Sequence, residues 1–264
     1  MATLYPVLWV VKMALTTSDG MTLSVNPFPM PSEITLDNFD AVVGATDAQG
    51  RWLFGRQLLN SLVVSGSTTL VGLALSVSAA YALSRFKFPG REAGMQGLLV
   101  TQMFPATLML VPLYSILEKL SLLDSLTGLV LVYSTSSLPF CVWMLKGYFD
   151  TIPRELEEAA VMDGASHFQV FWRVVLPLTR PALAVTALFS FMTAWNEFIL
   201  AATLLNDQTL FTLPVALQRF VGEYKVELGK FAAGALIVSA PVMALFFALQ
   251  KNLVGGLTAG GVKG

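Results

Sequence analysis

Charge is scarce in this 264-residue chain. Asp, Glu, Lys and Arg make up 12% of it and apolar residues 55%, whereas soluble domains carry roughly 25% charged residues. So few charges cannot cover a water-exposed surface, which excludes a soluble globular domain and points to the membrane. Histidine occurs once, at His167, which argues against a histidine-rich metal site. Cysteine also occurs once, at Cys141, so no internal disulfide can form. A net charge of −1 leaves no basic surplus to attract nucleic acid. A phosphate-binding G-x-x-x-x-G-K-[ST] run is missing, and Gly260-Gly261-Val262-Lys263 lacks its Gly-Lys-Ser/Thr order with no strand before it. The chain is therefore expected to bind no ATP and no other cofactor. Nucleophile–base pairs are lacking too, so it is read as a non-catalytic protein.

Long apolar runs are what the chain has instead. Residues 57–84, 93–117, 125–145 and 231–250 contain no charge at all, and 181–205 contains only Glu197. Each reaches the roughly 20 residues that an α-helix needs to cross the hydrocarbon core. Lipid offers backbone amides no partner, so five such runs predict five spanning helices. Residues 1–15, apolar except for Lys12, read as the outer part of a first span whose beginning is missing, or as a short buried anchor. The expected fold class is thus an all-α integral membrane protein with about six transmembrane helices.

Loop charge orients it. Loops 84–92, 146–180 and 251–264 carry nine basic residues, against six in loops 16–56, 118–124 and 206–230. The positive-inside rule makes the first set, and the C-terminus, cytoplasmic. Residues 1–56 are then a first helix and outer loop, 57–250 a membrane core with a cytoplasmic loop at 150–180, and 251–264 a tail.

That loop gathers Arg154, Glu155, Glu157, Glu158, Asp163 and Arg173 between two apolar runs. Thr151 is placed to cap a helix that Pro153 starts, with the acids at its positive end. Leu156, Ala159 and Ala160 share a face at helical spacing, and Gly164 ends the helix. Ser166 caps a second helix carrying Phe168, Phe171, Trp172 and Val175, which Leu176-Pro177 stops. A helix–bend–helix knob of this kind needs a partner cleft, although an amphipathic loop lying on the bilayer has the same periodicity.

Here the residues reach a known family. Glu158-Ala159-Ala160, three residues, Gly164, nine residues, Val174-x-Leu176-Pro177 resembles the EAA motif of ABC importer permeases, with Val174 where Ile is usual. Tyr81-Ala82-x-x-Arg85-Phe86-x-Phe88-Pro89-Gly90 and Trp195-Asn196-Glu197-Phe198 are similar to signatures of the carbohydrate-importing group. The ending from Gly256 to Gly264 resembles the tail of the smaller permease subunit of maltose/maltodextrin importers.

The resemblance implies a type I ABC importer permease in a bacterial cytoplasmic (inner) membrane. Glu158, Ala159, Ala160, Gly164, Leu176 and Pro177 would form the coupling segment that docks on an ATPase subunit. It further implies a second permease subunit, an ATPase dimer holding ATP and Mg, and an extracytoplasmic sugar-binding protein. The tail residues Thr258, Gly260, Gly261 and Lys263 would reach between the ATPase subunits; a disordered polar tail is the alternative.

Within the membrane, Thr68, Gly72, Ser76 and Ala80 recur every four residues, a stripe that lets helices pack closely. Pro105, Pro112 and Pro139 are expected to kink their spans, and Ser134–Ser137 places a polar patch beside Pro139. An acid inside a span is costly. Glu197 is therefore a candidate pathway or binding-protein contact, or a structural acid pairing with Asn196 or the partner permease. Trp195 offers a sugar-stacking surface or an interfacial anchor. A self-sufficient secondary transporter would show inverted repeats and several intramembrane charges, and neither is present. Another oligosaccharide or a glycerol phosphate is the alternative cargo to maltodextrin.

Overall fold

The computed structural model describes residues 4–16, 34–222 and 226–261. Among these residues the structure is helical, apart from isolated bridges pairing Thr46 with Trp52 and Val221 with Val226. Three helices run unbroken through apolar sequence: α3 (Leu53–Arg85), α6 (Leu126–Thr151) and α13 (Leu228–Gly261). Even the shortest, with 26 residues, extends about 39 Å, enough to cross the hydrocarbon core. Ahead of them lie the short apolar α1 (Tyr5–Ala14) and α2 (Asp37–Val43).

Two of the expected spans are broken rather than continuous. Residues 93–117 were expected to form one kinked helix, but α4 (Arg91–Met103) and α5 (Ala106–Lys119) meet at 105°. Pro105 causes this, because its ring crowds the preceding residue out of the helical region, and Phe104 is extended with ψ 128°. Pro112 and Pro139 lie inside α5 and α6 without ending them, as neighbouring groups in a bundle allow. The expected span 181–205 is interrupted after α10 (Arg180–Trp195), and at its start α10 meets residues 167–178, which were expected in the cytoplasmic loop, at 74°. Past α10 come the short α11 (Ile199–Leu204) and α12 (Leu213–Gln218).

The chain divides into two compact units. The first comprises Met1–Val63, Leu123–Leu126 and Asn196–Ala244. Its polar side chains close loops that no regular ladder satisfies. Asn38 is buried and donates to the carbonyls of Ala14 (3.0 Å) and Thr16 (2.8 Å), fastening α2 to the end of α1. Beyond Arg56, the first turns of α3 carry uncharged polar side chains that reach other loops: Gln57 donates to Gln208 O, and Asn60 to Thr209 O and Phe211 O. Ser61 Oγ accepts the Leu213 N–H at 2.7 Å. Asp124, at φ 50°, accepts the N–H groups of Asn206 and Asp207.

The second unit comprises Val64–Leu122, Thr127–Trp195 and Leu245–Gly264. Ala80, Leu83, Val142, Leu145, Phe149, Val170, Val175 and Ala182 form its buried core. The Thr68, Gly72, Ser76, Ala80 stripe is buried throughout and serves packing. α10 answers it with Ala182, Thr186, Ser190 and Ala194, also four apart and buried. A Cβ on Gly72 would lie 3.5 Å from Ser137 Oγ and 3.6 Å from Ser190 Oγ. The polar patch of α6 is split between faces, with Ser134 and Ser137 buried and Thr135 and Ser136 exposed. Cys141 is fully buried.

Candidate functional site

The loop singled out by its charges folds as the expected helix–bend–helix knob, with different joints. Its first helix, α7 (Glu155–Met162), begins two residues after Pro153, and Arg154 precedes it without a side-chain cap. Thr151 does not cap it, because its hydroxyl donates to Tyr148 O at 2.7 Å and closes α6 instead. Glu155, Glu157 and Glu158 occupy the first turn, where the N–H groups favour anions. The helix ends at Gly164, whose φ of 89° is left-handed. Gly164 N–H donates to Val161 O and Ala165 N–H to Ala160 O. This pair of bonds is a Schellman closure, which satisfies carbonyls that would otherwise be orphaned.

Ser166 then caps α8 (His167–Val170) as expected. Its hydroxyl accepts the Gln169 N–H, while the Gln169 side chain accepts the Ser166 N–H at 2.8 Å. Leu176-Pro177 does not stop the second helix. Phe171–Val175 widens into a π-turn, and a short α9 (Leu176–Leu178) carries Pro177 onward to a break at the fully buried Thr179. Proline lacks the N–H for a bond four residues back and crowds that carbonyl. A π-turn just upstream relaxes this conflict, so the chain turns at Thr179 rather than at Pro177.

The motif residues divide by exposure. Glu158, Ala159, Gly164 and Pro177 are exposed, and Leu176 is half-buried. Leu156 and Ala159 face outward, but Ala160 turns inward onto the core, so the three do not form one surface. Met162 (88% exposed), Phe168 (71%) and Trp172 (52%) project from the knob, an unusual amount of bare apolar surface. His167 is exposed beside them.

What fixes the knob is a residue that motif reading passes over. Glu157 accepts from Arg85 Nε at 2.5 Å and from the Tyr81 hydroxyl at 3.1 Å, one partner on each carboxylate oxygen. Arg85 spends its remaining donors on Ser84 Oγ (3.0 Å) and Ile152 O (3.1 Å). Ser84 in turn donates to Asp150, which pairs with Lys146 at 2.6 Å, and Arg154 donates to Ser84 O. The signal for Glu157 lay in helical spacing, three residues from the inward-facing Ala160, whereas Glu158 is turned to solvent. Beside this tie lies an open groove of about 530 Å³ lined by Tyr81, Arg85, Glu157, Met162 and His167.

Trp195, Asn196 and Glu197 differ in exposure. Trp195 is 1% exposed and stacks on Phe191 with ring centroids 5.4 Å apart, so it serves packing in this chain. Glu197 does not lie inside a continuous span. It occupies the break after α10, half-buried, and its two oxygens accept the Leu200 and Ala201 N–H groups at 2.9 and 3.1 Å. These are first-turn donors of α11 with no partner inside their helix. Asn196 is exposed beside it. Glu197→Ala is expected to lower stability by about 1 kcal/mol, the usual worth of a helix cap. Detergent-solubilised protein should show this as a fall of about 2–4 °C in its unfolding midpoint. Glu197→Gln, which keeps one acceptor, should lie between; midpoints unchanged in both variants would refute the capping role.

Residues 251–261 continue α13. The backbone of α13 stays helical through Thr258, Gly260 and Gly261, while Lys263 lies outside the described residues.

Comparison with known proteins agrees with this architecture. Residues 72–258 match the family model of the binding-protein-dependent transport system inner membrane component. The chain is 38% identical to the maltodextrin transport system permease protein of Streptococcus pneumoniae, over 99% of this chain and 90% of that one. It is 36% identical to the trehalose transport system permease protein of Mycobacterium tuberculosis, over 99% of this chain and 93% of that one. Among solved structures, a chain of a bacterial ABC transporter that imports the acidic polysaccharide alginate superposes with a TM-score of 0.79 at 25% identity. That alignment covers 95% of this chain and 90% of the other. The fold is that of a type I ABC importer permease.

Proposed function

Because the chain belongs to the family of binding-protein-dependent transport system inner membrane components, we propose that it is the maltose/maltodextrin permease subunit of an ATP-driven sugar importer. It would form the translocation pathway with a second permease subunit and receive cargo from an extracytoplasmic sugar-binding protein. The observation that carries the coupling part is the bare apolar knob of Met162, Phe168 and Trp172 beside Glu158, Ala159 and Gly164. Such a surface calls for a partner, and a cytoplasmic position, argued from loop charge, makes an ATPase subunit that partner.

ATP and Mg then belong to the ATPase dimer, and this chain does no chemistry. Closure of that dimer would carry the knob with it and convert an inward-open permease pair to an outward-open one. Coupling of this kind works only if the ATP-bound partner binds one conformer more tightly than the other. The C-terminal end of α13, with Thr258, Gly260, Gly261 and Lys263, would lie at the same ATPase interface. Leu176 and Pro177 would pass the knob's motion toward α10.

Maltodextrin as cargo is supported by the 38% identity to the pneumococcal permease over nearly the whole chain. Trehalose is the second reading, supported by the mycobacterial relative at 36%. Co-purification in mild detergent, followed by reconstitution with ATP inside vesicles and binding protein outside, tests both. Uptake of labelled maltose in preference to trehalose, requiring all companion subunits, is the expected result. Accumulation of sugar by the isolated chain would overturn the proposal.

A further inference from the structure

We propose that the Arg85–Glu157 ion pair is the linkage through which the knob drives α3, so that breaking it uncouples ATP hydrolysis from transport. This rests on the coupling reading above and names the residues that perform it. α7 is eight residues long and buries none of them fully. Its own packing is thus thin, confined to the half-buried Ala160 against the core. A rigid lever cannot be held by so little apolar contact.

The ion pair supplies what packing does not. Its side chains are 8% and 14% exposed although the residues stand 72 positions apart in sequence. Both carboxylate oxygens and three guanidinium nitrogens are engaged, by Tyr81, Ser84 and Ile152 O as well as by each other. A planar guanidinium with this many fixed partners resists both rotation and sliding. Breaking a buried pair on one side leaves the other charge without compensation, so the linkage holds or fails as a unit. The docking surface of Met162, Phe168 and Trp172 is made by other residues. Glu157 is therefore a positioning residue, and it can be altered without touching the face that meets the ATPase.

The test is a complete transporter in vesicles, with labelled maltose uptake and ATP hydrolysis measured on the same preparation. Glu157→Gln removes the charge, and Arg85→Lys keeps the charge while losing the fork. Both are expected to retain the ATPase subunits on purification and to import about tenfold less maltose per ATP hydrolysed, within the usual range of coupling between sites. Tyr81→Phe, which removes one hydrogen bond, should give a smaller fall in the same ratio. Assembled transporter reduced in amount but importing at the wild-type ratio would show a merely structural pair and overturn the proposal. Loss of the ATPase subunits in Glu157→Gln would overturn it too, by making Glu157 part of the docking face. If the unaltered chain holds no ATPase subunit, the underlying coupling reading fails instead, and separately.

Discussion

A transporter carrying Gly164→Asp is expected to insert and assemble its membrane part normally while importing about a hundredfold less sugar, the scale of a coupling loss near 3 kcal/mol. Two physical effects act at this position and can be separated. Gly164 has φ 89°, a region that costs most L-residues about 1–2 kcal/mol. A Cβ there would meet nothing within 4 Å among the described residues, so no internal clash adds to that cost. Asn and Asp both tolerate the left-handed region and have nearly the same shape. Gly164→Asn therefore tests shape at the docking face, and Gly164→Asp adds a charge that a partner cleft must desolvate. Gly164→Ala tests backbone strain alone and should weaken the Schellman closure without blocking the cleft. The expected order of uptake is wild type, then Ala and Asn, with Asp far below. Equal uptake by Asn and Asp, measured with ATP-loaded vesicles, would show that the bend does not enter a desolvated cleft.

Much of this molecule could be read from composition and spacing. Charge-free runs placed α3, α6 and α13 because a spanning helix needs about 20 apolar residues and leaves few other arrangements. The knob was legible for a different reason. Ser166 and Gly164 are local signals, whose hydrogen bonds close within three to five residues, so tertiary context had little to override. The small-residue stripe of α3 was equally plain, since a repeat of four on a helix puts every member on one side.

Breaks and ties were harder to see. Hydropathy cannot tell a straight span from two helices meeting at 105°, because both bury the same apolar run. Phe104-Pro105 turned the chain and Pro112, inside α5, did not, a difference that the presence of proline alone does not reveal. Glu197 looked like an acid stranded in lipid, but it lies past the end of α10 and accepts the first-turn N–H groups of α11, which is how a break between helices tolerates a carboxylate. Arg85 and Glu157 are separated by more than 70 residues, and no local pattern pairs them. Three glutamates within four positions were visible; which one turned inward depended on the helix phase relative to Ala160.

The largest effect on folding is expected at Gly72, where three helices of the second unit come together. The α3 backbone approaches α6 and α10 closely enough that a Cβ would stand 3.5 Å from Ser137 Oγ and 3.6 Å from Ser190 Oγ. Both distances are ordinary van der Waals contacts, so Gly72→Ala should fit and change the yield of folded protein little. Gly72→Leu adds three further carbons to a site with no room for them. Overpacking a well-filled interior costs about 1–3 kcal/mol. In a seam held by close packing rather than by water exclusion, forcing the helices apart also loses their dispersion contacts. Folded protein recovered by size-exclusion in detergent should therefore fall by about tenfold to a hundredfold at equal expression. Ser190→Ala provides the control. The buried Ser190 hydroxyl has no hydrogen-bond partner among the described residues, so its removal should cost nothing and slightly raise the unfolding midpoint. Normal recovery of Gly72→Leu would mean that α3 is not pressed against α6 and α10 at this level.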